Sequence, residues 1–253
     1  MQFASLGSGS KGNGSLIRNR DTNILVDCGF NYEITKDRLG KLGLNPWDLN
    51  AILVTHEHID HTQGLKVLAL KHGLCVYATR GTLMELDKHS IENVCEISDK
   101  FLIGSICINP IVVPHDARQP VQFVFESEGV RFGLLSDLGS LSSNVLEAYQ
   151  NLDGLSVEFN HDLEMLNTGP YPGFLKRRVG GDFGHLSNDQ AKELVQRVIS
   201  RRLKHVIACH ISETNNKISL VDKSIEEALK GTSCNRLISF QSKIIDWVAL
   251  GEL

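Results

Sequence analysis

The sequence lacks the features of a membrane-spanning, secreted or disulfide-stabilised protein. No apolar run approaches the length of a membrane span, and residues 1–6 resemble a first β-strand rather than a signal peptide. Six cysteines are scattered without a CxxC pair, which favours reduced core thiols over a disulfide framework. We therefore expect a cytoplasmic protein with no membrane contact.

Internal repeats, low-complexity tracts and an obvious linker are also missing, so we expect one domain that spans residues 1–253. The net charge of −4 excludes a general binder of polyanions. The charge is unevenly distributed, because residues 170–205 hold eight Lys or Arg against three Asp or Glu. This pattern predicts a localised anion-binding site, although a solvated helix face would also account for part of it.

The most informative segment present is the sequence THEHIDH at residues 55–61. It places three imidazoles and the carboxylate of Asp60 within six positions, a donor set that suits a borderline divalent ion such as zinc, manganese or iron. An apolar run at residues 51–54 predicts a buried strand before it, and residues 64–71 can form a helix after it. The donors would then lie in the turn between a strand and a helix.

Further predicted strands also end in residues that can bind metal. Such strands lead to His115, Asp137, His161 and His210, and the ends of strands along one edge of a sheet assembly converge. The predicted ligand set is His56, His58, Asp60, His61, His115, Asp137 and His210. Seven ligands exceed the needs of one tetrahedral ion and suit two ions that share a carboxylate, for which Asp137 is the natural bridge.

The remaining patterns predict strands with interspersed helices, and hence sheets sandwiched between helical layers. The clearest helix starts near Asp189, where Ser187 and Gln190 form a capping-box pattern and apolar residues share one face. Residues 237–248 are predicted to form a single final strand.

Two ions a few ångströms apart can hold a bridging hydroxide as nucleophile, polarise the electrophile and stabilise the developing oxyanion. The predicted reaction is hydrolysis of an ester, amide or phosphodiester, and it needs neither a Ser-His-Asp arrangement nor a P-loop. The glycine-rich segment at residues 7–14, GSGSKGNG, does not match the spacing of a P-loop. It is interpreted as a β-turn, or as a nest of backbone N–H groups that faces an anion.

With these motifs the chain resembles the metallo-β-lactamase superfamily, whose pattern is an HxHxDH motif followed by an isolated His, an Asp and a late His. Narrower motifs resemble its YycJ (WalJ)-like branch, described as 5′-to-3′ exonucleases linked to DNA repair. They are Gly7 to Asn13, Glu158-x-Asn160-His161-Asp162, Tyr171-Pro172 with Leu175 to Arg178, Gly184 to Asn188, and His210-Ile211-Ser212 with Asn215-Asn216. Similar signatures occur in ribonucleases that process the 3′ end of tRNA.

The resemblance implies an α/β fold, an αββα sandwich of two mixed β-sheets flanked by helices, with a dinuclear metal site at one edge. One ion would be held by His56, His58 and His115, and the other by Asp60, His61 and His210, with Asp137 as the bridge. Asp60 and His185 are the implied catalytic residues. His185 would protonate the leaving group or grip the scissile phosphate.

The implied cofactors are two divalent ions, zinc or manganese, with iron as a further option. The implied activity is that of a metal-dependent nuclease or phosphodiesterase, with nucleic acid as partner and DNA preferred to RNA. The predicted substrate-binding residues are Ser10, Asn13, Asn160, His161, Lys176, Arg177 and Arg178. Asp27 is either an orienting partner for a metal ligand or a plain turn residue.

The alternatives are hydrolysis of a small ester or cyclic phosphodiester, RNA processing, metal-stabilised binding of nucleic acid, and di-iron redox chemistry. The complete ligand set argues against a module that only binds, and the intact His58 argues against the di-iron proteins, which usually carry an acid there. Fold alone does not separate the hydrolases. The basic residues 176–178, which lie among glycines and prolines, predict a mobile lid that a polyanion would need more than a small substrate.

Overall fold

The computed structural model describes residues 1–86 and 91–251, and within them the chain forms two seven-stranded β-sheets. The first sheet has the spatial order β14 (Ile245–Ala249), β1 (Gln2–Gly7), β2 (Gly14–Asn19), β3 (Thr22–Val26), β4 (Ala51–Leu53), β5 (Val76–Ala78) and β6 (Val94–Glu96). The second has the order β13 (Asn235–Ile238), β12 (His205–Cys209), β11 (Gly154–Glu158), β10 (Val130–Leu135), β9 (Val121–Ser127), β8 (Ile106–Val112) and β7 (Phe101–Ile103). Both sheets are mixed, because β3 to β6 and β10 to β13 run parallel while the other pairs are antiparallel.

Helices connect the strands, and α1, α3, α4, α5, α8 and α9, whose ranges follow, pack on the outer faces of the sheets. The helices are α1 (Tyr32–Lys41), α2 (Ile59–Thr62), α3 (Leu65–His72), α4 (Arg80–Leu86), α5 (Ser143–Ala148), α6 (Leu163–Thr168), α7 (Gly173–Val179), α8 (Asn188–Val198) and α9 (Ile218–Ala228), with a 3₁₀ turn at Pro46–Asp48. Among these helices of the described ranges, none is both long enough and apolar enough to cross a membrane.

The apolar core follows this layering. One cluster fills the space between the sheets and includes Phe3 from β1 and Phe123 and Phe132 from β9 and β10. A second cluster joins the first sheet to α1 and α3, and a third joins the second sheet to α5, α8 and α9. The layers are therefore helix, sheet, sheet and helix, which confirms the predicted αββα sandwich.

Helix α8 shows how the local sequence produces these layers. The Ser187 hydroxyl accepts a hydrogen bond from the backbone N–H of Gln190, and the Gln190 side chain accepts one from the backbone N–H of Ser187, which confirms the predicted capping box. Leu194, Val195 and Val198 are buried on one face of the helix. Burial of each such side chain stabilises the fold by roughly 1.5–3 kcal/mol.

The prediction of a single strand over residues 237–248 is wrong. The segment forms β13, which pairs with β12 in the second sheet, and β14, which pairs with β1 in the first. The turn between them contains Gln241 and Ser242, polar residues that interrupt the apolar pattern without a glycine or proline to mark the break. This connection passes from the second sheet to the first. It lies beside residues 8–13, since the Ser8 backbone N–H donates to the Phe240 carbonyl.

Candidate metal centre

The predicted ligands lie in the loops that follow strand ends. His56 and His58 follow β4, with Asp60 and His61 in the short helix α2 just after them. His115 follows β8, Asp137 follows β10, and His210 follows β12. Strands β10, β11 and β12 are parallel, so the residues after them share one edge of the sheet, as the sequence predicted.

Three of the polar residues at strand ends have left-handed backbone conformations. Asp27, Asp137 and His210 have φ angles of 60°, 52° and 49°. A residue with a side chain rarely adopts this conformation, and it persists where the surrounding structure imposes it, commonly at functional sites. Arg20, Glu128 and Asn151 also have positive φ angles, so the backbone geometry supports a functional role at these three strand ends only together with their side-chain chemistry.

The first group of donors comprises His56, His58 and His115, whose ligand atoms lie within 4.8 Å of one another. His58 Nδ1 is 3.0 Å from His56 Nε2 and 3.4 Å from His115 Nε2. His115 Nδ1 donates to the carbonyl oxygen of Gly184 at 3.0 Å. Because that bond takes the proton on Nδ1, Nε2 of His115 is left with a free lone pair that can bind a metal.

The second group comprises Asp60, His61 and His210. Asp60 Oδ2 lies 3.5 Å from His61 Nε2 and 3.4 Å from His210 Nε2. On its other side, His61 Nδ1 lies 2.8 Å from Asp27 Oδ2, and the Asp27 carboxylate also accepts from the backbone N–H of Thr55. Of the two roles considered for Asp27, this geometry favours orientation of a ligand.

Asp137 lies between the two groups. Its Oδ2 is 3.2 Å from His61 Nε2, and its Oδ1 is 3.3 Å from His210 Nδ1 and 4.0 Å from His115 Nε2. Asp137 is buried, and among the described residues its Oδ2 lies close to His61 Nε2 without a hydrogen bond of good geometry. A buried carboxylate oxygen without a hydrogen bond is costly, and a cation would satisfy it. The donors therefore suit two divalent ions that share Asp137.

Electrostatics at the site favour the same interpretation. Burial disfavours the charged form of Asp60, but His61 and His210 hold the pKa of this carboxyl well below its usual value. Burial likewise opposes charge on His210, yet Asp137 and Asp60 raise the pKa of its imidazole to about 10. In the protein alone, protonated histidines thus balance buried carboxylates. Divalent cations would replace those protons, since metal ligands must be deprotonated.

Glu158, at the end of β11, is a site residue to which the sequence reasoning gave no role. It is fully buried, its Oε1 accepts from the backbone N–H groups of Leu138 and Leu186, and its Oε2 lies 3.0 Å from His185 Nδ1. Although burial raises the pKa of this carboxyl, His185 lowers it to about 2. With Asp137, His185 and His210 it forms a further group that could hold metal. The sequence could have indicated this role, because Glu158 is an acid at the end of a strand and the neighbouring strands β10 and β12 also lead to predicted ligands.

A cavity of about 360 Å³ opens onto these donors, and we call it the metal-site cavity. Its lining includes the side chains of four predicted ligands, His58, Asp60, Asp137 and His210, and the predicted catalytic residue His185. Of the predicted substrate-binding residues, Ser10 and Arg178 are the ones that line it within the described ranges. The other lining residues include Asp116, Tyr171 and Leu175.

Asp116 is a second residue that the sequence reasoning missed. It follows His115, and its Oδ1 lies 3.4 Å from His115 Nε2 and 3.9 Å from His58 Nε2. Its other oxygen accepts a hydrogen bond from the guanidinium of Arg178. Arg178 therefore enters the cavity paired with an acid that lies beside the first group of donors.

Two predicted substrate contacts lie behind the ligands instead. Asn13 is buried, and its Nδ2 is 3.2 Å from Asp60 Oδ2 and 3.1 Å from His61 Nε2. Asn160 is also buried, and its amide donates to the backbone carbonyl of His210 at 3.0 Å. Both side chains are placed to position ligands rather than to contact a substrate.

The remaining predicted contacts are divided between the interior and the outer surface. His161 is buried, neither of its ring nitrogens has a hydrogen-bond partner among the described residues, and burial lowers the pKa of its imidazole to about 4. Lys176 and Arg177 lie on α7 with Arg178, and the Lys176 ammonium donates to the Asn167 carbonyl at 2.6 Å. The basic cluster therefore forms one short helix at the mouth of the metal-site cavity.

Comparisons with known proteins bear on the family of the chain. Residues 22–211 match the family model described as the Beta-lactamase superfamily domain. The chain is 36% identical over 223 residues to exodeoxyribonuclease WalJ of Streptococcus pneumoniae serotype 2 (strain D39), an alignment that covers 85% of this chain and 83% of WalJ. It is 34% identical over 237 residues to exodeoxyribonuclease YycJ of Bacillus anthracis, over 91% of this chain and 89% of that protein.

The structure also resembles the metallo-β-lactamase fold protein YhfI from Bacillus subtilis, with a TM-score of 0.73 over 96% of this chain and 98% of YhfI. The sequence identity between the two is 15%, so this likeness concerns the fold alone.

Proposed function

The chain belongs to the metallo-β-lactamase superfamily, in its YycJ (WalJ)-like branch, and on this premise we propose that it is a 5′-to-3′ exonuclease that hydrolyses phosphodiester bonds of DNA with two divalent metal ions. The proposal is supported by the grouping of the seven expected donors, four of which line one cavity, in a chain whose relatives over most of its length are named exodeoxyribonucleases.

The seven predicted ligands would hold the two ions. The first ion would take His56, His58 and His115, the second Asp60, His61 and His210, and Asp137 would be shared. When bound, the ions would supply a nucleophile derived from water at neutral pH and would stabilise negative charge on the phosphate. Imidazole and carboxylate donors suit zinc or manganese, with iron as a further option.

We assign proton transfer to His185. The side chain lines the cavity, and its Nδ1 contacts the Glu158 carboxylate, which leaves Nε2 available to donate a proton to the departing oxygen. Glu158 would stabilise the protonated imidazole and fix its orientation, since its own Oε1 is held by two backbone N–H groups. Asp60, the other predicted catalytic residue, would act as a metal ligand that faces the cavity.

Helix α7 supports a polynucleotide substrate. Three consecutive basic residues lie on it, and Arg178 reaches the cavity. Phe174 on the same helix and Phe183 just beyond it are 67% and 62% exposed. Exposed aromatic rings beside cations suit stacking with unpaired bases and contacts with phosphates, whereas a small ester would need neither. DNA is proposed rather than RNA because the named relatives are exodeoxyribonucleases.

The proposed DNA substrate and the cysteine content together suggest a cellular role and location. We propose that the protein acts in DNA repair in the cytoplasm, where its six unpaired cysteines would remain reduced. We further propose that residues 1–253 work as one domain, because the core cluster between the sheets takes residues from both halves of the chain.

The proposal is tested with DNA and RNA of identical sequence, single- and double-stranded and labelled at either end, with manganese or zinc supplied. Stepwise release of nucleotides from the 5′ end of DNA, with slower attack on RNA, is expected. Hydrolysis of a small aryl phosphodiester without any degradation of DNA would contradict the proposal and favour a small-molecule phosphodiesterase.

A further inference from the structure

A second cavity, of about 410 Å³, lies next to the metal-site cavity, and two segments of the chain contribute residues to the lining of both. In the loop between β1 and β2, Ser8 lines the second cavity and Ser10 lines the metal-site cavity. After β12, His210 lines the metal-site cavity and Ser212 lines the second. Two residues of chain extend over at most about 7 Å, so the two cavities are close neighbours.

The lining of the second cavity combines one aromatic ring, one cation (Lys217), one acid (Glu213), two isoleucines and small polar groups. Phe240 lines it and is 38% exposed, and the ammonium of Lys243 lies 5.5 Å from the centre of the Phe240 ring. Lys217, at the N-cap position of α9, and Ser242 also line the cavity, whereas the carboxylate of Glu213 is paired with the ammonium of Lys11. The volume lies within the range of about 300–1,000 Å³ that is typical of pockets for small organic groups.

The aromatic wall is fixed to the loop that reaches the metal-site cavity. The Phe240 carbonyl accepts from the Ser8 backbone N–H at 3.2 Å. The Gln241 side chain accepts from the backbone N–H of Lys11 and donates to the carbonyl of Gly12, both at 2.8 Å. A group held against Phe240 would therefore keep a defined position relative to Ser10 and the metal donors.

We propose that the second cavity binds one unpaired nucleotide of a DNA strand whose neighbouring phosphodiester lies in the metal-site cavity, an inference that rests on the proposed nuclease function. The base stacks against Phe240, and a phosphate of the same strand contacts Lys217 or Lys243. Stacking on an aromatic ring accepts any base, which suits an enzyme that removes nucleotides in succession.

The test compares Phe240→Ala with Phe240→Trp, and the matched control is Trp47→Ala, because Trp47 is 72% exposed and lines neither cavity. Loss of one stacked base raises the KM for single-stranded DNA by about 5- to 100-fold. Phe240→Trp restores the wild-type KM, and Trp47→Ala leaves it unchanged. Hydrolysis of a small aryl phosphodiester is the same in all four proteins, since that substrate does not reach the second cavity.

An unchanged KM for DNA in Phe240→Ala would overturn the inference. An equal loss on the small phosphodiester would also overturn it, because Phe240 would then support the metal site itself. Failure of the proposed function gives a different result, in which the wild-type protein does not degrade DNA at all. In that case the inference falls together with the function.

Discussion

The carboxylate of Glu158 lies 3.0 Å from Nδ1 of His185, at the end of a buried strand and at the wall of the metal-site cavity. This pair links the interior of the second sheet to the residue that we propose as the proton donor. Glu158 itself accepts hydrogen bonds from the backbone N–H groups of Leu138 and Leu186. The backbone therefore fixes the position of Glu158, and Glu158 in turn fixes the orientation of the His185 imidazole.

We expect Glu158→Gln to lower DNA turnover by about 10- to 100-fold, because the neutral amide no longer stabilises and orients the His185 imidazole. Metal content should remain at the wild-type level. The measurement is kcat together with elemental analysis, and Glu193→Gln, which changes an exposed carboxylate on α8, is the control. Loss of one ion in Glu158→Gln would instead make Glu158 a metal ligand.

We expect His185→Ala to lower the chemical rate by roughly 10²- to 10⁴-fold with normal metal content, because the leaving oxygen then departs without a proton. A phosphodiester with a highly activated leaving group should recover part of the lost rate, since it needs no proton. Single-turnover rates with both substrates check this. If the rates with DNA and with the activated phosphodiester fell by the same factor, His185 would not be the proton donor.

Replacement of Lys176, Arg177 and Arg178 by Glu should weaken DNA turnover strongly through KM while hydrolysis of a small aryl phosphodiester barely changes. Each lost phosphate contact should also reduce the slope of log affinity against log salt by about 0.7 for a single strand. Arg201→Glu with Lys204→Glu is the matched control, because these basic residues lie beside the opposite end of β12 from His210. An unaltered salt slope would make the cluster on α7 a solvated surface.

The two proposed ion sites should respond differently to loss of their ligands. Asp137→Ala should lower the affinity of the protein for both ions, since the Asp137 carboxylate lies between the two groups of donors. His210→Ala should spare the ion held by His56, His58 and His115. Calorimetric titration with zinc would show the two patterns, and identical behaviour of both variants would argue against a shared carboxylate.

Much of the fold and of the donor set could be predicted from the sequence because the signals are local. Residues 55–61 concentrate donors in one turn, and apolar runs before His115, Asp137 and His210 identify strands whose ends must meet. The capping box at Ser187 likewise needs only four residues to be recognised.

What could not be predicted depends on contacts between distant segments. Helix α7 has seven residues, none of them buried, so it carries no apolar stripe that would reveal a helix. Asn13 was predicted to bind substrate because it lies in a glycine-rich loop, and only the folded chain shows its amide against Asp60 and His61. The role of Glu158 likewise depends on Leu138 and His185, which lie 20 and 27 residues away.

The most direct test of the account is the number of ions that the active protein holds. Metal-free protein would be titrated with manganese or zinc, with bound ions counted by native mass spectrometry and DNA hydrolysis measured at each step. We expect saturation at two ions per chain, with hydrolysis following occupation of the second. Full activity at saturation with one ion per chain would contradict the two-metal account.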